Sequence, residues 1–307
     1  YAKSGMLVGM DDYIKENKID MSQYLESITG IYNFDGKQYA MPSFWDDTVL
    51  LLNTKMMEKY GIEKPKKDWN WQEMITWLEG AKSKLPKDIY PFTSNTVEYT
   101  QLGIFNGVAL AGGQIINEDK TKALIDTPET KNGYKTYLDL VKSDLHSPFD
   151  VTVETGAGTL FKSEKALAYQ AGSYSLLTFS DKEQAQVAGN FEIYPVPAIK
   201  EGVKTKSVIH GVGNVISANS KHPDEAFKFI NYMSSEESMK TYTELALVSQ
   251  SHKNVQDLYG KVMKEKTGLD VSVVYNVAKD AMPLPNSVDT AKWDKIIVDN
   301  ISSYVQD

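Results

Sequence analysis

The chain has 307 residues, a length typical of about two domains, and its 41% hydrophobic and 24% charged residues are ordinary for a globular protein. Its net charge of -8 argues against a nucleic-acid partner, because such a surface needs a basic stripe. The absence of cysteine excludes disulfides, thiol nucleophiles and cysteine-ligated metals, and no apolar run approaches the roughly 18 residues of a membrane-spanning helix.

The first predicted element is a β-hairpin. Residues 31–42, IYNFDGKQYAMP, predict two short strands around Asp35 and Gly36, a two-residue turn in which glycine takes a positive φ. The apolar run TVLLLN at 48–53 predicts a buried strand. Further β-rich segments are ALAYQAG, NFEIYPVP and SVIHGVGNVIS.

Helices are predicted between these strands. Asn70 with Glu73 has the spacing of a capping box, and so has Ser234 with Glu237. Thr127 is expected to cap a helix over 127–143. The apolar stripes expected to face the core are Trp71, Met74, Ile75 and Leu78; Tyr134, Tyr137, Leu138 and Val141; and Ala226, Phe229, Ile230 and Met233. Strands alternating with helices indicate an α/β fold, and two domains without a linker imply several chain crossings.

The segment Trp45, Asp46 and Asp47 stands directly before the apolar strand. A glycosidase needs two carboxylates flanking one bond, but adjacent strand residues point to opposite faces, so this pair cannot do so. A second carboxylate could come only from elsewhere, with Glu98, Asp280 and Asp289 as candidates. The alternatives are hydrogen bonding of one carboxylate to vicinal hydroxyls and a purely structural role as a solvated pair or helix cap.

Other catalytic motifs are absent from the sequence. The histidines His146, His222 and His252 show no metal-ligand spacing and are expected in core or capping roles. His210 and Gly211 stand at a glycine-rich strand end, HGVGN, where they could contact a ligand. Neither GAG nor GVG completes a phosphate-binding loop, and no Gly-x-Ser-x-Gly occurs. We predict no catalytic residues, no metal and no cofactor.

Aromatic residues are abundant, with 18 Tyr, 10 Phe and 5 Trp. Most are expected in the core, Trp71 and Trp77 among them. Four others stand in loops or at element ends: Trp45, Tyr99, Tyr174 and Trp293. The flat apolar face of a ring suits the C–H face of a pyranose, while neighbouring carboxylates bind its hydroxyls.

Six segments together resemble an extracellular solute-binding protein of an ABC sugar importer, of the maltose- and multiple-sugar-binding type. They are YAKSGML followed by DGKQYAMP, LLLNTKMMEKYGI, DWNWQEM, LFKSEKALAYQAGSY, and GNVISANSKHPDEAFKFINYMSSEE. The resemblance runs from Tyr1 to about Trp293. It implies an α/β, two-lobed periplasmic-binding-protein fold of type II, with the ligand held between the lobes.

The resemblance also implies the division of the chain. Lobe one is expected over 1–46 and 210–258, lobe two over 47–209 and 259–307, with crossovers near 44–48, 208–214 and 256–262. Because family members carry further residues at both ends, we expect an N-terminal segment of lobe one and the last C-terminal helices to be missing from this chain. Lobe one would then be incomplete, with an open sheet edge.

The resemblance places ligand contacts at several positions. Asp46 stands where the family often has a polar sugar contact, Tyr99 falls in the loop that supplies a stacking aromatic, and Tyr174 replaces the usual tryptophan. Trp293 matches a late cleft tryptophan. The predicted ligand-binding set, with neighbours of these positions included, is Trp45, Asp46, Asp47, Glu98, Tyr99, Tyr174, His210, Gly211 and Trp293. The segment Trp45–Asp47 is expected to be exposed at the rim of the cleft.

The resemblance implies a non-enzymatic function. The expected partners are a sugar or oligosaccharide and the permease subunits of an ABC transporter. The expected location is extracellular, either periplasmic or on a Gram-positive cell surface through a lipid anchor absent from this chain. A non-sugar solute such as a peptide or polyamine, a glycan-cleaving enzyme, and a protein that serves a sensor kinase are the alternatives.

Overall fold

A computed structural model describes residues 1–203, 207–246 and 248–306 of the protein. The strands are β1 (Asn33–Phe34), β2 (Lys37–Gln38), β3 (Met41–Asp46), β4 (Thr48–Asn53), β5 (Tyr90–Ser94), β6 (Ala166–Gly172), β7 (Phe191–Tyr194), β8 (Val208–Asn214) and β9 (Met282–Pro283). The helices are α1 (Asp11–Glu16), α2 (Glu26–Thr29), α3 (Thr54–Lys59), α4 (Trp71–Lys82), α5 (Ile104–Leu110), α6 (Pro128–Lys142), α7 (Phe149–Thr155), α8 (Ala157–Lys162), α9 (Leu176–Ser180), α10 (Pro223–Met233), α11 (Glu236–Ala246), α12 (Gln256–Thr267), α13 (Ser272–Ala278) and α14 (Thr290–Gln306). None of these helices has the length and apolar character needed to cross a membrane.

The chain divides into two compact units. Unit 1 comprises Tyr1–Asp46 and Ile209–Lys266, and unit 2 comprises Asp47–Val208 and Thr267–Asp307. The chain therefore passes from one unit to the other at 46/47, 208/209 and 266/267. The last of these changes lies at the end of α12, whereas the boundary expected from the sequence, at 258/259, falls inside that helix.

Unit 1 is built on the antiparallel pair of β3 and β8, in which Asp46 is the partner of His210. The predicted hairpin forms as β1 and β2, with Asp35 at φ 50° and Gly36 at φ 75° in its turn. This confirms the turn, because both central residues of such a two-residue connection need positive φ. The buried core of unit 1 comprises Met10, Tyr24, Met41, Ile216, Phe227, Ile230, Met239 and Val255.

Two sequence expectations in unit 1 are wrong. On α10, Phe229 is 65% exposed, and Phe227 is buried in its place with its ring stacked on Tyr13 at 4.6 Å. On α11, the cap is Ser235, whose Oγ accepts from the N–H of Ser238, while the predicted cap Ser234 donates to the carbonyl of Pro42. In both cases a long-range contact selects between neighbouring residues of the same type.

Unit 2 contains a four-stranded sheet in the order β5-β6-β4-β7. Strand β4 is buried throughout and pairs antiparallel with β6 and β7, whereas β5 runs parallel to β6. Helix α4 begins with the predicted capping box of Asn70 and Glu73, and α6 begins at the predicted cap Thr127. The tryptophans Trp69 and Trp71 lie in the core of this unit.

The strand directions in unit 2 bring several segments to one edge of its sheet. Thr48, the first residue of β4, is the partner of Gly172, the last residue of β6, and β5 ends in parallel beside β6. The start of β4, the loop 95–103 after β5 and the turn 173–175 after β6 therefore meet at this edge. In open α/β sheets, the carboxyl ends of parallel strands are the usual place for ligands.

Candidate functional site

In unit 1, Asp46 and His210 form a close side-chain pair. The Nδ1 of His210 lies 2.5 Å from the Oδ1 of Asp46, and the side chains are 18% and 7% exposed. With Nδ1–H donated to the carboxylate, Nε2 is left as an acceptor in the neutral ring or as a donor in the charged ring. The Oδ2 of Asp46 and the Nε2 of His210 are buried and find no hydrogen-bond partner in the described part of the chain. Most buried polar atoms have a partner, so this pair has capacity to bind one.

The expected exposure of the segment Trp45–Asp47 is wrong. Trp45, Asp46 and Asp47 are 1%, 6% and 0% exposed. Trp45 belongs to β3, its indole N–H donates to the carbonyl of Gln250 at 3.0 Å, and its backbone N–H donates to Ser249 at 3.1 Å. The hydrogen bond of the indole therefore holds the ring inside unit 1.

Gly211 lies under the side chain of Tyr32. A Cβ atom at this glycine would stand 3.2 Å from the Tyr32 hydroxyl, 3.1 Å from Ile28 and 3.3 Å from the carbonyl of Phe44. Burial raises the pKa of Tyr32, and its hydroxyl has no hydrogen-bond partner among the residues that the structure describes. Gly211 thus permits close packing beside His210. Tyr32 was not predicted as a site residue, since nothing in its local sequence distinguishes it from other tyrosines.

In unit 2, Asp47 is tied to the turn after β6. Its N–H donates to the Oγ of Ser173 at 3.2 Å, and its carbonyl accepts from the N–H of Ser173 at 2.8 Å. This two-way link fixes the turn that presents Tyr174, whose side chain is 51% exposed. The turn that carries Tyr174 is thereby joined to Asp47, the residue directly before β4.

Glu98 and Tyr99 lie in the loop that follows β5. Glu98 is exposed, with Oε2 accepting from the N–H of Val97 at 3.3 Å, and Tyr99 is 52% exposed. Tyr169 is buried on β6, and its hydroxyl accepts from the side-chain amide of Asn95, the first residue after β5, at 3.0 Å. Burial is the main cause that raises the pKa of Tyr169, and interactions with Tyr174 and Glu98 add to the shift.

Glu98 and Tyr174, which both influence the pKa of Tyr169, follow the strands β5 and β6 that end at this edge of the sheet of unit 2. Asn95 and Tyr169, which are joined by a hydrogen bond, were not predicted as site residues. Tyr169 sits inside an apolar strand and therefore looks like a core residue from the sequence alone. Its hydrogen bond with Asn95 depends on the parallel pairing of β5 with β6, which cannot be read from the local sequence.

Trp293 lies near the start of α14 and is half-buried. Its indole N–H donates to the Oγ of Ser287 at 2.9 Å, and its ring lies 6.2 Å from that of Phe105. The next residue, Asp294, accepts from the hydroxyl of Thr100 at 3.0 Å. Trp293 therefore packs on the core of unit 2, close in sequence to a contact with the loop 95–103.

The other histidines have structural environments. His146 is 3% exposed, with Nε2 bonded to Ser94 at 2.9 Å and Nδ1 to the carbonyl of Ser147, and burial lowers its pKa to about 4. His252 accepts from the N–H of Asn254 at the start of a short 3₁₀ helix, and His222 stands exposed before α10. Within residues 1–203, 207–246 and 248–306, no group of three or more potential ligand side chains could hold a metal ion.

Comparison with known proteins agrees with this architecture. The family model of the bacterial extracellular solute-binding protein matches residues 1–240. Maltose-bound MalE3 of T. maritima superposes with a TM-score of 0.80 at 19% identity, covering 99% of this chain and 76% of that one. The predicted fold class, the α/β fold of periplasmic binding proteins, is confirmed.

Two of the curated relatives that match in sequence illustrate the similarity. A probable ABC transporter-binding protein of Deinococcus radiodurans is 24% identical in an alignment of 274 residues that covers 85% of this chain. A multiple sugar-binding protein of Streptococcus mutans is 23% identical in an alignment of 227 residues that covers 70% of this chain. The matched parts are 62% and 51% of the length of these relatives. Because the family model covers more than half of the sequence, the chain belongs to the bacterial extracellular solute-binding protein family.

Proposed function

We propose that the protein is the solute-binding component of an ABC importer and that its ligand is a sugar or oligosaccharide. The observation that carries the proposal is the pair of Asp46 and His210 in unit 1. A buried carboxylate oxygen and a buried ring nitrogen without partners in the described residues are suited to a ligand rich in hydroxyl groups. An ionised acceptor makes hydrogen bonds about twice as strong as those of a neutral one.

Unit 2 supplies groups of a complementary kind. The exposed rings of Tyr99 and Tyr174 offer apolar faces for the C–H surface of a pyranose, and Glu98 offers a second charged acceptor. Apolar rings combined with a few polar groups are typical of small-molecule sites. The relative named a multiple sugar-binding protein and the maltose-bound structural match are consistent with this chemistry.

We also propose that the protein delivers its bound sugar to the permease of the importer. A permease that takes up only the loaded protein requires a ligand-dependent shift between conformations of the binding protein. Such a shift from about 1% to about 99% needs a ligand that binds one conformation about 10⁴-fold more tightly. The three places where the chain passes between the units are where backbone dihedrals would change. This role places the protein outside the cytoplasmic membrane, in agreement with its family.

Thermal unfolding against a ligand panel tests the proposal. The panel contains malto-, xylo-, galacto- and manno-oligosaccharides, common monosaccharides, glycerol phosphate, spermidine and a tetrapeptide. A ligand specific for the native state adds about 2.7 kcal/mol of stability at a hundredfold excess over its dissociation constant. A shift with one sugar class supports the proposal, and recovery of that sugar uncleaved by chromatography separates binding from hydrolysis.

The control is the same panel with Asp46→Asn. We expect the sugar-dependent shift to shrink while the unliganded midpoint changes little, since asparagine preserves shape and an acceptor. A shift with spermidine or peptide and with no sugar would contradict the sugar assignment and identify a solute-binding protein of another class.

A further inference from the structure

Asn106 lies at the junction of three segments of unit 2. It is fully buried on α5, and its Nδ2 donates to the hydroxyl of Thr48 at 3.1 Å and to the carbonyl of Gln101 at 2.6 Å. Its Oδ1 accepts from the N–H of Val208 at 2.9 Å. Both amide hydrogens and the carbonyl oxygen are used, so the side chain is satisfied.

The partners of Asn106 occupy special places along the chain. Thr48 is the second residue after the change of unit at 46/47, and Val208 is the last residue before the change at 208/209. Gln101 belongs to the loop 95–103, which carries Glu98 and Tyr99. One buried side chain therefore joins two chain crossings to the loop with two proposed ligand contacts.

The loop 95–103 is tightly held on its other sides as well. The side-chain amide of Gln170 donates to the carbonyl of Leu102 at 2.6 Å. A Cβ at Gly103 would lie 2.0 Å from the carbonyl oxygen of Asn95, so only glycine allows the loop to fold back on itself. A loop restrained in this way can transmit a displacement of one anchor to the others, because packed elements do not deform continuously.

The position of α5 is equally restrained. A Cβ at Gly107 would lie 2.6 Å from the Cβ of Tyr137, and one at Gly133 would lie 2.6 Å from the carbonyl of Gly107. Helices α5 and α6 thus meet through their backbones. Asn106 projects from a fixed support, and its three hydrogen bonds locate the loop and the crossings relative to that support.

We propose that Asn106 is a positioning residue. Its three hydrogen bonds hold the loop 95–103 and the backbone at the two chain crossings together, so that these segments move together. It contacts no ligand itself, and the affinity for a ligand bound by Glu98 and Tyr99 depends on it. The affinity part of the proposal rests on the proposed function, whereas the mechanical part does not. Ligand contacts on the loop are thereby coupled to the backbone at 47–48 and 208.

Hydrogen–deuterium exchange on the unliganded 307-residue chain tests the mechanical part. In Asn106→Ala we expect the N–H of Val208 and the loop amides of Leu102 and Gly103 to exchange together at least about tenfold faster, the factor for roughly one lost hydrogen bond. The matched control is Asn53→Ala, which removes another buried asparagine of unit 2 that caps α3 at the N–H of Met56. Its effect should stay within α3.

The variant Asn106→Asp distinguishes the hydrogen bond to Val208 from the hydrogen bond to Gln101. It also serves if the alanine variant fails to fold. The carboxylate still accepts from Val208 but repels the carbonyl of Gln101, so loop amides should exchange faster. Coupling requires Val208 to follow the loop in this variant, at a rate between wild type and Asn106→Ala. Faster exchange at Val208 alone in the alanine variant, or at the loop alone in the aspartate variant, would overturn the proposal.

Titration with maltose as the probe tests the affinity part. We expect about tenfold weaker binding in Asn106→Asp and an unchanged dissociation constant in Asn53→Ala. Equal affinity in both variants overturns the affinity part. If maltose does not bind the wild-type chain, the sugar panel decides the proposed function, and the exchange comparison still decides the coupling because it needs no ligand.

Discussion

His210 on β8 and Asp46 on β3 face each other as Cα partners, and their side chains meet with Nδ1 2.5 Å from Oδ1. The two residues are 164 positions apart in sequence. Asp46 is the last residue of the first segment of unit 1, and His210 is the second residue of its second segment. The ladder therefore places a carboxylate–imidazole pair beside two chain crossings. This pair is the polar centre of the proposed site in unit 1.

The first prediction concerns the charge of Asp46. Asp46→Asn should weaken sugar binding by about 1.5–3 kcal/mol, the usual contribution of a hydrogen bond to a charged group. Titration calorimetry measures the change. Asp88→Asn is the control, because Asp88 is an exposed carboxylate of unit 2 paired with Lys165. Unchanged affinity in Asp46→Asn would show that the charge of this carboxylate does not contribute to ligand binding.

The second prediction concerns the exposed rings of unit 2. Tyr99→Ala and Tyr174→Ala should each cost more than about 1 kcal/mol of binding free energy if the rings stack on sugar. Their cost in unfolding free energy should remain within about 0.5 kcal/mol, as is usual for surface positions. Phe229→Ala on α10 is the matched control, being an aromatic side chain of similar exposure in unit 1. Equal binding by all three variants would contradict stacking.

The third prediction is a pH dependence of stability. Burial lowers the pKa of His146 from 6.5 to about 4, so the unfolded chain binds a proton at this residue before the folded protein does. The stabilisation is fully present above pH 6.5 and is lost as the pH falls toward 4, by an amount of about 3 kcal/mol. Urea denaturation at several pH values measures it.

The difference between wild type and His146→Gln isolates this residue from other titrating groups. The variant should lose less stability than the wild type between pH 6.5 and 4. The exposed His222→Gln is the control and should follow the wild-type curve. Parallel curves for wild type and His146→Gln would show that His146 does not titrate differently on folding.

The fourth prediction tests the capping box of α4. Asn70→Ala should lower the free energy of unfolding by about 1 kcal/mol, because the N–H of Glu73 loses its side-chain acceptor. Asn70→Asp should retain most of that stability, since aspartate is an equally good cap. Asn132→Ala on the exposed face of α6 is the control. A loss in Asn132→Ala as large as in Asn70→Ala would argue against a capping effect.

Local patterns in the sequence predicted the local structure well. The turn at Asp35 and Gly36, the buried strand at 48–53 and the caps at Asn70 and Thr127 all form as expected. Each depends on contacts within about four residues, where side-chain type and spacing suffice. The errors at Phe229 and Ser234 arose where two equivalent neighbours competed and a distant partner made the choice.

The candidate site was predictable only in part. The order of the motifs indicated the family. Tyr99 and Tyr174 are exposed, and their contact with a ligand stays a prediction. Trp45 was misjudged because a tryptophan at a strand end looks accessible in sequence, whereas the carbonyl of Gln250 receives its indole N–H. Tyr32 and Asn106 carry no signal of their own in the sequence.

The sequence by itself determined the α/β class, the individual turns and caps, and the family, because these follow from periodicity and from the order of short motifs. Only the tertiary structure decided that Asp46 meets His210 and that Asn106 joins Thr48, Gln101 and Val208. Such pairs depend on strand register and close packing of segments far apart in the chain. A shift of one residue in register would turn every strand side chain to the opposite face.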